Sequence, residues 1–441
     1  MIRFAAALLV YADGPSARTF HERLQRNSYL GPLVHSAAAA LEELRRFKPD
    51  IVMIGPELAD GDGMSLARTL KGHPEFAEIP VFLLAETRSD EIYREAMDIG
   101  VDDLMVLPLD EAVMFARMRP LVRIATMYAE LRLRGAVARA LGVDVRDRLG
   151  GPADDAAAVV LAVGTDQETA FVRQSLEGAD VTTTTDLYQV EDMVSNRNYD
   201  VTILFAGSNP GPYIDLCIQT RNNARLFNLP VVIVMDPELP IERAVPYRAG
   251  ASRVVFRPLR PPVVRSAVLP LVRRQRLRWA LRQALATTLA PVSQDPLSDV
   301  YSRSFLMSYL ADRIALAKAE DRHLSVVLFY LPSIAGIRAS FGVEAEGHLL
   351  RQLSQWINNL LRAEDITARI DGYEFCVALP DTPLSEAQVV MNRIAGVLAH
   401  TDFAVPDVYE VVQVWLQVGA TELGPDDTPE TIIARARQKL E

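Results

Sequence analysis

The sequence predicts an α/β protein of several domains, in which two parallel-sheet domains precede an α+β domain. Through residues 1–125 of the 441 residues, short apolar runs alternate with amphipathic segments. Buried strands separated by helices are typical of a parallel sheet covered on both faces. The alternation recurs over residues 156–273, which indicates an internal duplication. The chain is also too long for one ordinary core.

Each repeat contains four apolar runs that predict buried strands. In the first they are Ala6–Val10, Ile51–Ile54, Val81–Leu84 and Leu104–Val106, and in the second Val159–Val163, Val201–Phe205, Val231–Val234 and Arg253–Val255. Ser36–Phe47 has the spacing of an amphipathic helix. The last strands stand in similar surroundings, Gly100-Val-Asp-Asp-Leu-Met-Val-Leu-Pro108 and Gly250-Ala-Ser-Arg-Val-Val-Phe-Arg-Pro258.

Two helical linkers are predicted, at residues 126–155 and 274–294. The first ends at a breaker, Gly150-Gly-Pro-Ala-Asp154. The second carries an apolar stripe with a four-residue repeat, Leu277, Leu281, Leu285 and Leu289. Five arginines share that region: Arg273, Arg274, Arg276, Arg278 and Arg282. They are interpreted as a solvated basic face, with contact to an acidic partner as the alternative.

The third domain, residues 295–441, contains a predicted strand at Ser325–Tyr330 and a predicted hairpin. Ile366–Ile370 and Tyr373–Leu379 alternate apolar residues on either side of Asp371-Gly372, a dipeptide favoured in two-residue hairpin turns.

Composition excludes several classes of function. A net charge of -11 argues against duplex DNA as a partner, because DNA binding requires a basic surface. Two cysteines form no disulfide framework, which fits a reducing cytoplasm. The six histidines lack ligand spacing, so no metal site or cofactor is predicted. No apolar stretch is long enough to insert into a bilayer.

Arg362 and Asp365 are the candidate binding residues. They lie three positions apart where a helix is predicted to give way to a strand, so both side chains can face one side. Arginine can meet guanine O6 and N7 with two hydrogen bonds. A carboxylate accepts from guanine N1–H and N2–H. The pair therefore predicts a guanine-binding site, although such a tetrapeptide alone is more often a surface ion pair.

Arg362-Ala-Glu-Asp365, followed six residues later by Asp371-Gly-Tyr-Glu-Phe375, resembles the GGDEF family of diguanylate cyclases. Asp295-Pro-Leu-Ser-Asp-Val-Tyr-Ser-Arg303 resembles the motif that opens that domain. The resemblance implies that the first motif is the family's inhibitory site, which binds cyclic di-GMP, and that the second belongs to the active site. Arg393 matches an arginine that completes the inhibitory site from a neighbouring subunit in some members.

The resemblance also implies that the active-site positions are degenerate. These positions are Tyr330, Asp371, Gly372, Tyr373, Glu374 and Phe375. Tyr330 and Tyr373 replace metal-binding acids, and Asp371 replaces a glycine. Two-metal catalysis needs several carboxylates, and only Glu374 persists. The protein is therefore predicted not to be an enzyme, with no catalytic residue and no metal.

Both repeats resemble receiver domains of two-component signalling, which are flavodoxin-like with five parallel strands. In the first repeat the phosphoacceptor position holds Gly55, and Ala85 and Leu107 replace the family's Thr and Lys. In the second, Arg257 stands where the Lys would be. Neither domain is predicted to accept phosphate. Asp60 and Asp62 are interpreted as loop residues, with a displaced phosphoacceptor as the alternative.

Over nearly its full length the chain resembles PleD-type response regulators, with the order receiver, receiver, GGDEF, and most of all the catalytically inactive PopA-like group. The resemblance implies a homodimeric, non-catalytic effector and adaptor for cyclic di-GMP, cytoplasmic and located at a cell pole. Its partners by resemblance are RcdA, CtrA and the ClpXP protease, which implies a role in cell-cycle proteolysis. The alternatives are a nucleotide-independent dimerisation scaffold for an active cyclase and a weakly active diguanylate cyclase.

Overall fold

The computed structural model describes residues 3–143, 157–223, 225–405 and 411–441. The chain divides into two compact units: residues 5–125 with 150–280, and residues 126–149 with 281–441 and the first four residues. Residues 144–155 of the predicted first linker, including its breaker, lie outside the described residues.

The first repeat is a parallel sheet covered by helices. Its strands are β1 (Ala5–Val10), β2 (Tyr29–Leu30), β3 (Leu33–Val34), β4 (Ile51–Ile54), β5 (Glu57–Leu58), β6 (Gly61–Asp62), β7 (Val81–Ala85) and β8 (Asp103–Val106). Its helices are α1 (Pro15–Arg26), α2 (Ala37–Arg46), α3 (Gly63–Gly72), α4 (Asp90–Ile99) and α5 (Glu111–Ala140). The order is β2/β3, β1, β4, β7, β8, with β2 and β3 as two pieces of one edge strand. β5 and β6 form a separate short hairpin.

The second repeat has the same architecture. Its elements are β9 (Val159–Val163), α6 (Asp166–Ser175), β10 (Asp180–Thr184), a 3-10 helix (Leu187–Gln189), α7 (Val190–Asn196), β11 (Val201–Phe205), α8 (Gly211–Asn222), β12 (Val231–Met235), α9 (Ala244–Arg248), β13 (Arg253–Phe256) and α10 (Pro261–Ala286). The parallel order is β10, β9, β11, β12, β13. The two predicted five-stranded parallel sheets are thus confirmed.

The arginines of α10 do not form a solvated face, so that interpretation is wrong. Arg276 bonds the carboxylate of Asp200 at 3.0 Å, and Arg274 is half-buried, so that desolvation lowers its pKa. Of the five arginines, only Arg282 is exposed. The long arginine stems cover apolar surface while charged ends such as those of Arg273 and Arg276 reach acceptors within the same compact unit.

The C-terminal domain is an antiparallel sheet between two helical layers, which confirms the predicted α+β class. Its elements are α11 (Arg303–Ala319), β14 (Leu324–Tyr330), α12 (Ile334–Asn359), β15 (Ile366–Asp371), β16 (Glu374–Pro380), α13 (Leu384–Ala399), β17 (Gln417–Glu422) and α14 (Pro429–Arg437). The strand order is β15, β16, β14, β17. One core lies under α12 and α13, and the other lies under α11 and α14.

One local prediction, the position of the hairpin turn, needs correction. The hairpin turn is Gly372-Tyr373, not Asp371-Gly372, because Asp371 still pairs with Glu374. Gly372 takes the left-handed conformation, with φ +36°, which glycine adopts most readily. The predicted boundary at 125/126 coincides with the division between the two compact units and lies within the continuous helix α5, and the predicted boundary at 273/274 lies within α10.

The second half of α5 belongs to the C-terminal unit and is not a free linker. Val137 and Ala138 are buried in one apolar cluster with Phe305 and Leu306 of α11. Among the described helices, none is long and apolar enough to cross a membrane.

Candidate functional site

The Arg362–Asp365 turn connects the end of α12 to β15. Its conformation is fixed locally, because the backbone N–H of Arg362 donates to Asp365 Oδ2 at 2.8 Å. The backbone N–H of Asp365 donates back to the carbonyl of Arg362 at 3.2 Å. A short polar side chain that bonds its own backbone is typical of such a turn. The predicted change from helix to strand at this point is confirmed.

Asp365 is a buried carboxylate with an unused acceptor. Its exposure is 9%, and within the described residues Oδ1 has no hydrogen-bond partner. Burial, together with the charge of Glu364, raises the pKa of Asp365 to about 7, although Arg362 and Arg134 oppose that shift. An unsatisfied buried acceptor is costly, and a ligand N–H would remove that cost.

Arg362 and Arg393 provide positive charge beside this carboxylate. Arg362 Nη2 lies 3.6 Å from Glu386 Oε2, whose side chain is 53% exposed, a pair of the kind that contributes little energy. Arg393 of α13 donates to the carbonyl of Leu360 at 2.6 Å. Burial lowers the pKa of Arg393, and the charge of Arg362 lowers it further. A single chain therefore brings together all three predicted binding residues.

Sequence analysis missed Arg134, a buried arginine of α5 that bonds the same turn. Its Nη1 donates to the carbonyl of Ala363 at 3.4 Å, and its Nη2 donates to the carbonyls of Glu364 and Asp365. Its Nε donates to Glu130, four residues earlier, at 3.3 Å. The one sequence signal was a charged pair, Glu130 and Arg134, at the four-residue spacing of one helix face.

Tyr373, Glu374 and Phe375 of the hairpin contact other residues of the C-terminal domain. Glu374 pairs with Tyr330 across β14 and β16, and its carboxylate accepts from Arg437 Nε and Nη2 at 2.9 and 2.5 Å. Burial, followed by the charge of Glu346, raises the pKa of Tyr373. Phe375 lies in the core and Asp371 is exposed.

The residues present do not fit the pair of Mg²⁺ ions that the cyclase fold implies. In the described parts of the chain, no three acidic, histidine or cysteine side chains lie close enough to hold a metal ion. Glu374, the acid retained at the hairpin, is already paired with Arg437. No metal-dependent step is assigned to these residues.

In the first receiver fold, an aromatic ring lies where a phosphoacceptor side chain would begin. A Cβ added at Gly55 would lie 2.6 Å from Tyr11 Cδ2. Asp60 accepts from the N–H groups of Ala37 and Ala38 at the start of α2. Asp62 caps α3 through the N–H of Ser65 at 2.8 Å. Both aspartates therefore have structural roles that neither interpretation foresaw, and the absence of phosphorylation stays a prediction.

In the second receiver fold, Arg257 forms ion pairs at the carboxyl edge of the sheet. It lies 2.5 Å from Glu168 and 3.7 Å from Asp236. These residues line an open cavity of about 610 Å³. Arg257, which stands where the family has a lysine, is thus already paired with two acidic side chains.

Comparison with known proteins identifies the C-terminal domain. Residues 292–441 match the family described as "Diguanylate cyclase, GGDEF domain". The chain is 26% identical to the response regulator PleD of Caulobacter vibrioides over 98% of this chain and 95% of PleD. It is 28% identical to the transcriptional regulatory protein KdpE of Staphylococcus aureus over 20% of this chain and 36% of KdpE.

Solved structures resemble the C-terminal third. The GGDEF domain of DgcB from Caulobacter crescentus, solved in complex with c-di-GMP, is 16% identical over 34% of this chain and 85% of that one, with a TM-score of 0.32. A sensory box/GGDEF family protein from Caulobacter crescentus is 24% identical over 34% of this chain and 95% of that one, with a TM-score of 0.31.

The chain is thus similar to the response regulator PleD along nearly its whole length, and its residues 292–441 match the GGDEF domain family. The prediction that the protein is not an enzyme is contradicted, because the family match and the PleD relationship indicate the diguanylate cyclase family. That prediction relied on single replaced residues, whereas the match extends over the whole domain.

Proposed function

We propose that this protein is a cyclic di-GMP receptor that binds the dinucleotide at the Arg362–Asp365 turn. The observation that carries the proposal is the buried Oδ1 of Asp365, which has no hydrogen-bond partner among the described residues. Arg362 lies beside it, and the one ion pair found for its guanidinium in the described ranges is a weak surface contact. The GGDEF domain match supports cyclic di-GMP as the dinucleotide.

The turn can recognise both guanine and phosphate. Ionised Asp365 accepts from guanine N1–H and N2–H, which adenine does not offer in that arrangement. The Arg362 guanidinium can bond O6 and N7 or a phosphate oxygen. Arg393 adds a second positive charge, so the two arginines attract the phosphates of a dianion. Because Arg393 is already present in the same chain, binding does not require a second subunit, although the homodimer remains a prediction.

Affinity should rise with pH, because the ionised form of Asp365 is the one that accepts both guanine N–H groups. With a pKa of about 7, the ionised fraction, and with it the association constant, increases by roughly ten-fold between about pH 6 and pH 8. Asp365→Asn should bind more weakly at pH 8, lose most of this pH dependence and discriminate less between cyclic di-GMP and cyclic di-AMP. Calorimetric titrations with both dinucleotides at several pH values measure these effects.

Asp312→Asn, which changes an exposed aspartate on α11, is the matched control and should behave as the native protein. If Asp365→Asn kept the native pH dependence of affinity and the native preference for guanine, Asp365 would not be the group responsible for either.

The proposed consequence of binding is recruitment of a protein partner. The PleD-like arrangement, with two receiver folds before the GGDEF domain, supports a signalling role. By its resemblance to the PopA-like group, the partner is an RcdA-like adaptor that presents CtrA to ClpXP, and the location is a cell pole. Cyclic di-GMP should strengthen co-purification with such an adaptor several-fold. If the adaptor co-purified equally well without cyclic di-GMP, or did not co-purify at all, the proposed recruitment of a partner would be contradicted.

Synthesis of cyclic di-GMP is the second candidate, favoured by the family match. Incubation with GTP and Mg²⁺, followed by chromatography of the products, distinguishes synthesis from binding alone.

A further inference from the structure

The second half of α5 contacts the C-terminal domain through polar side chains four residues apart. Thr126 Oγ1 donates to Asp381 Oδ2 at 3.0 Å, and Glu130 Oε2 accepts from the hydroxyl of Tyr309 at 2.9 Å. Arg134 bonds the Arg362–Asp365 turn. Residues at this spacing share one helix face. The polar face therefore ends at the proposed binding site.

Arg134 is suited to hold the turn in one conformation. Its exposure is 3%, and its planar guanidinium directs donors to three consecutive carbonyls, those of Ala363, Glu364 and Asp365. These carbonyls belong to the segment between α12 and β15, where no regular helix or strand fixes the backbone. Its Nε–H is bonded to Glu130, which connects the guanidinium to its own helix.

We infer that Arg134 is a positioning residue for the dinucleotide site, through which ligand binding and the packing of the second half of α5 on the C-terminal domain are coupled. This inference rests on the proposed function, because it concerns the same turn. Arg134 acts through the backbone, while Arg362 and Asp365 meet the ligand.

Ligand binding and the packing of α5 are coupled because the ligand and Arg134 contact the same turn. Both interact with residues 362–365, the ligand through side chains and Arg134 through carbonyls. If α5 moves away, the carbonyls lose their donors, and the carboxylate of Asp365 loses the geometry that guanine needs. Linkage is reciprocal, so a ligand that selects the ordered turn must also favour the packed position of α5.

Hydrogen exchange on the full-length protein tests the inference in the native chain. Saturating cyclic di-GMP should slow amide exchange in residues 360–366 and also in residues 126–140. Protection confined to residues 360–366 would overturn the inference. This measurement does not depend on whether any variant folds.

Arg134→Lys supplies the second measurement. Lysine keeps the charge but lacks the planar set of donors, so without ligand the amides of Arg362 and Asp365 should exchange faster. Affinity for cyclic di-GMP should fall by roughly ten-fold, within the range usual for coupled sites, and the ligand should no longer protect residues 126–140. Arg132→Lys, an exposed arginine two positions earlier on α5, should retain native affinity and exchange.

The outcomes separate this inference from the proposed function. If the native chain binds no cyclic di-GMP, the proposed function fails, and exchange without ligand still decides whether Arg134 orders the turn. Unchanged exchange of the turn in Arg134→Lys, or native affinity together with retained protection of α5, overturns the inference. Faster exchange throughout α11 and β14, with ligand protection of α5 intact, would indicate a structural role alone and would also overturn it.

Discussion

Replacing Arg362 by alanine is expected to reduce affinity for cyclic di-GMP by roughly ten- to a hundred-fold, equivalent to about 1–3 kcal/mol of binding free energy. The reason is loss of a charge-assisted contact that can bond guanine or phosphate with two N–H groups. The backbone N–H of Arg362, which bonds Asp365, is unchanged by the substitution. The variant therefore tests the side chain while the turn is retained.

Calorimetric titration of Arg362→Ala against the native protein measures this loss. Arg303→Ala is the matched control, because Arg303 is an exposed arginine at the start of α11 and has no contact with the turn among those described. Native affinity in Arg362→Ala would show that the dinucleotide, if bound, uses another site.

Replacing Arg313 by methionine is expected to lower the free energy of unfolding of the C-terminal unit by about 3–5 kcal/mol. Arg313 is 2% exposed, and its Nη2 donates to Asp381 Oδ1 at 2.7 Å while its Nε lies 3.5 Å from Glu130 Oε1. Methionine fills similar space but leaves two buried carboxylates with one cation fewer. Breaking a buried ion pair from one side is costly for this reason.

Urea unfolding followed by tryptophan fluorescence measures this change, with Arg303→Met as the matched control on the same helix. Adding Glu130→Gln to Arg313→Met should recover part of the loss, because burial already raises the pKa of Glu130 and so disfavours its charged form. A loss as small as that of Arg303→Met would show that the buried pairs contribute little to stability.

The central strands of each sheet were predictable, as were the edge strands β8, β13 and β15, whereas the edge strands β2/β3, β10 and β17 were not. Central strands such as Ile51–Ile54 and Val201–Phe205 are buried on both faces and therefore appear as continuous apolar runs. The edge strand β2/β3 is interrupted at Gly31-Pro32, and the edge strands β10 and β17 are rich in polar residues. An edge strand has one neighbour, so a short or polar one can form without an apolar run in the sequence.

The site was predictable only where its residues are close in sequence. Arg362 and Asp365 lie in one turn, and their spacing indicated a shared face. Arg134 is 228 or more residues from that turn, and its contacts exist only once α5 packs on the domain. The contact of Asp60 was missed for a similar reason, because Asp60 caps a helix that precedes it in the chain. The cap formed by Asp62 is local, since α3 begins at the next residue.

Calorimetric titration of the native full-length protein with cyclic di-GMP tests the central claim most directly. The account predicts saturable binding at pH 8, with affinity in the micromolar range or tighter, and binding of cyclic di-AMP that is weaker by at least about ten-fold. No detectable binding of cyclic di-GMP by a folded preparation, or equal affinity for the two dinucleotides, would contradict it.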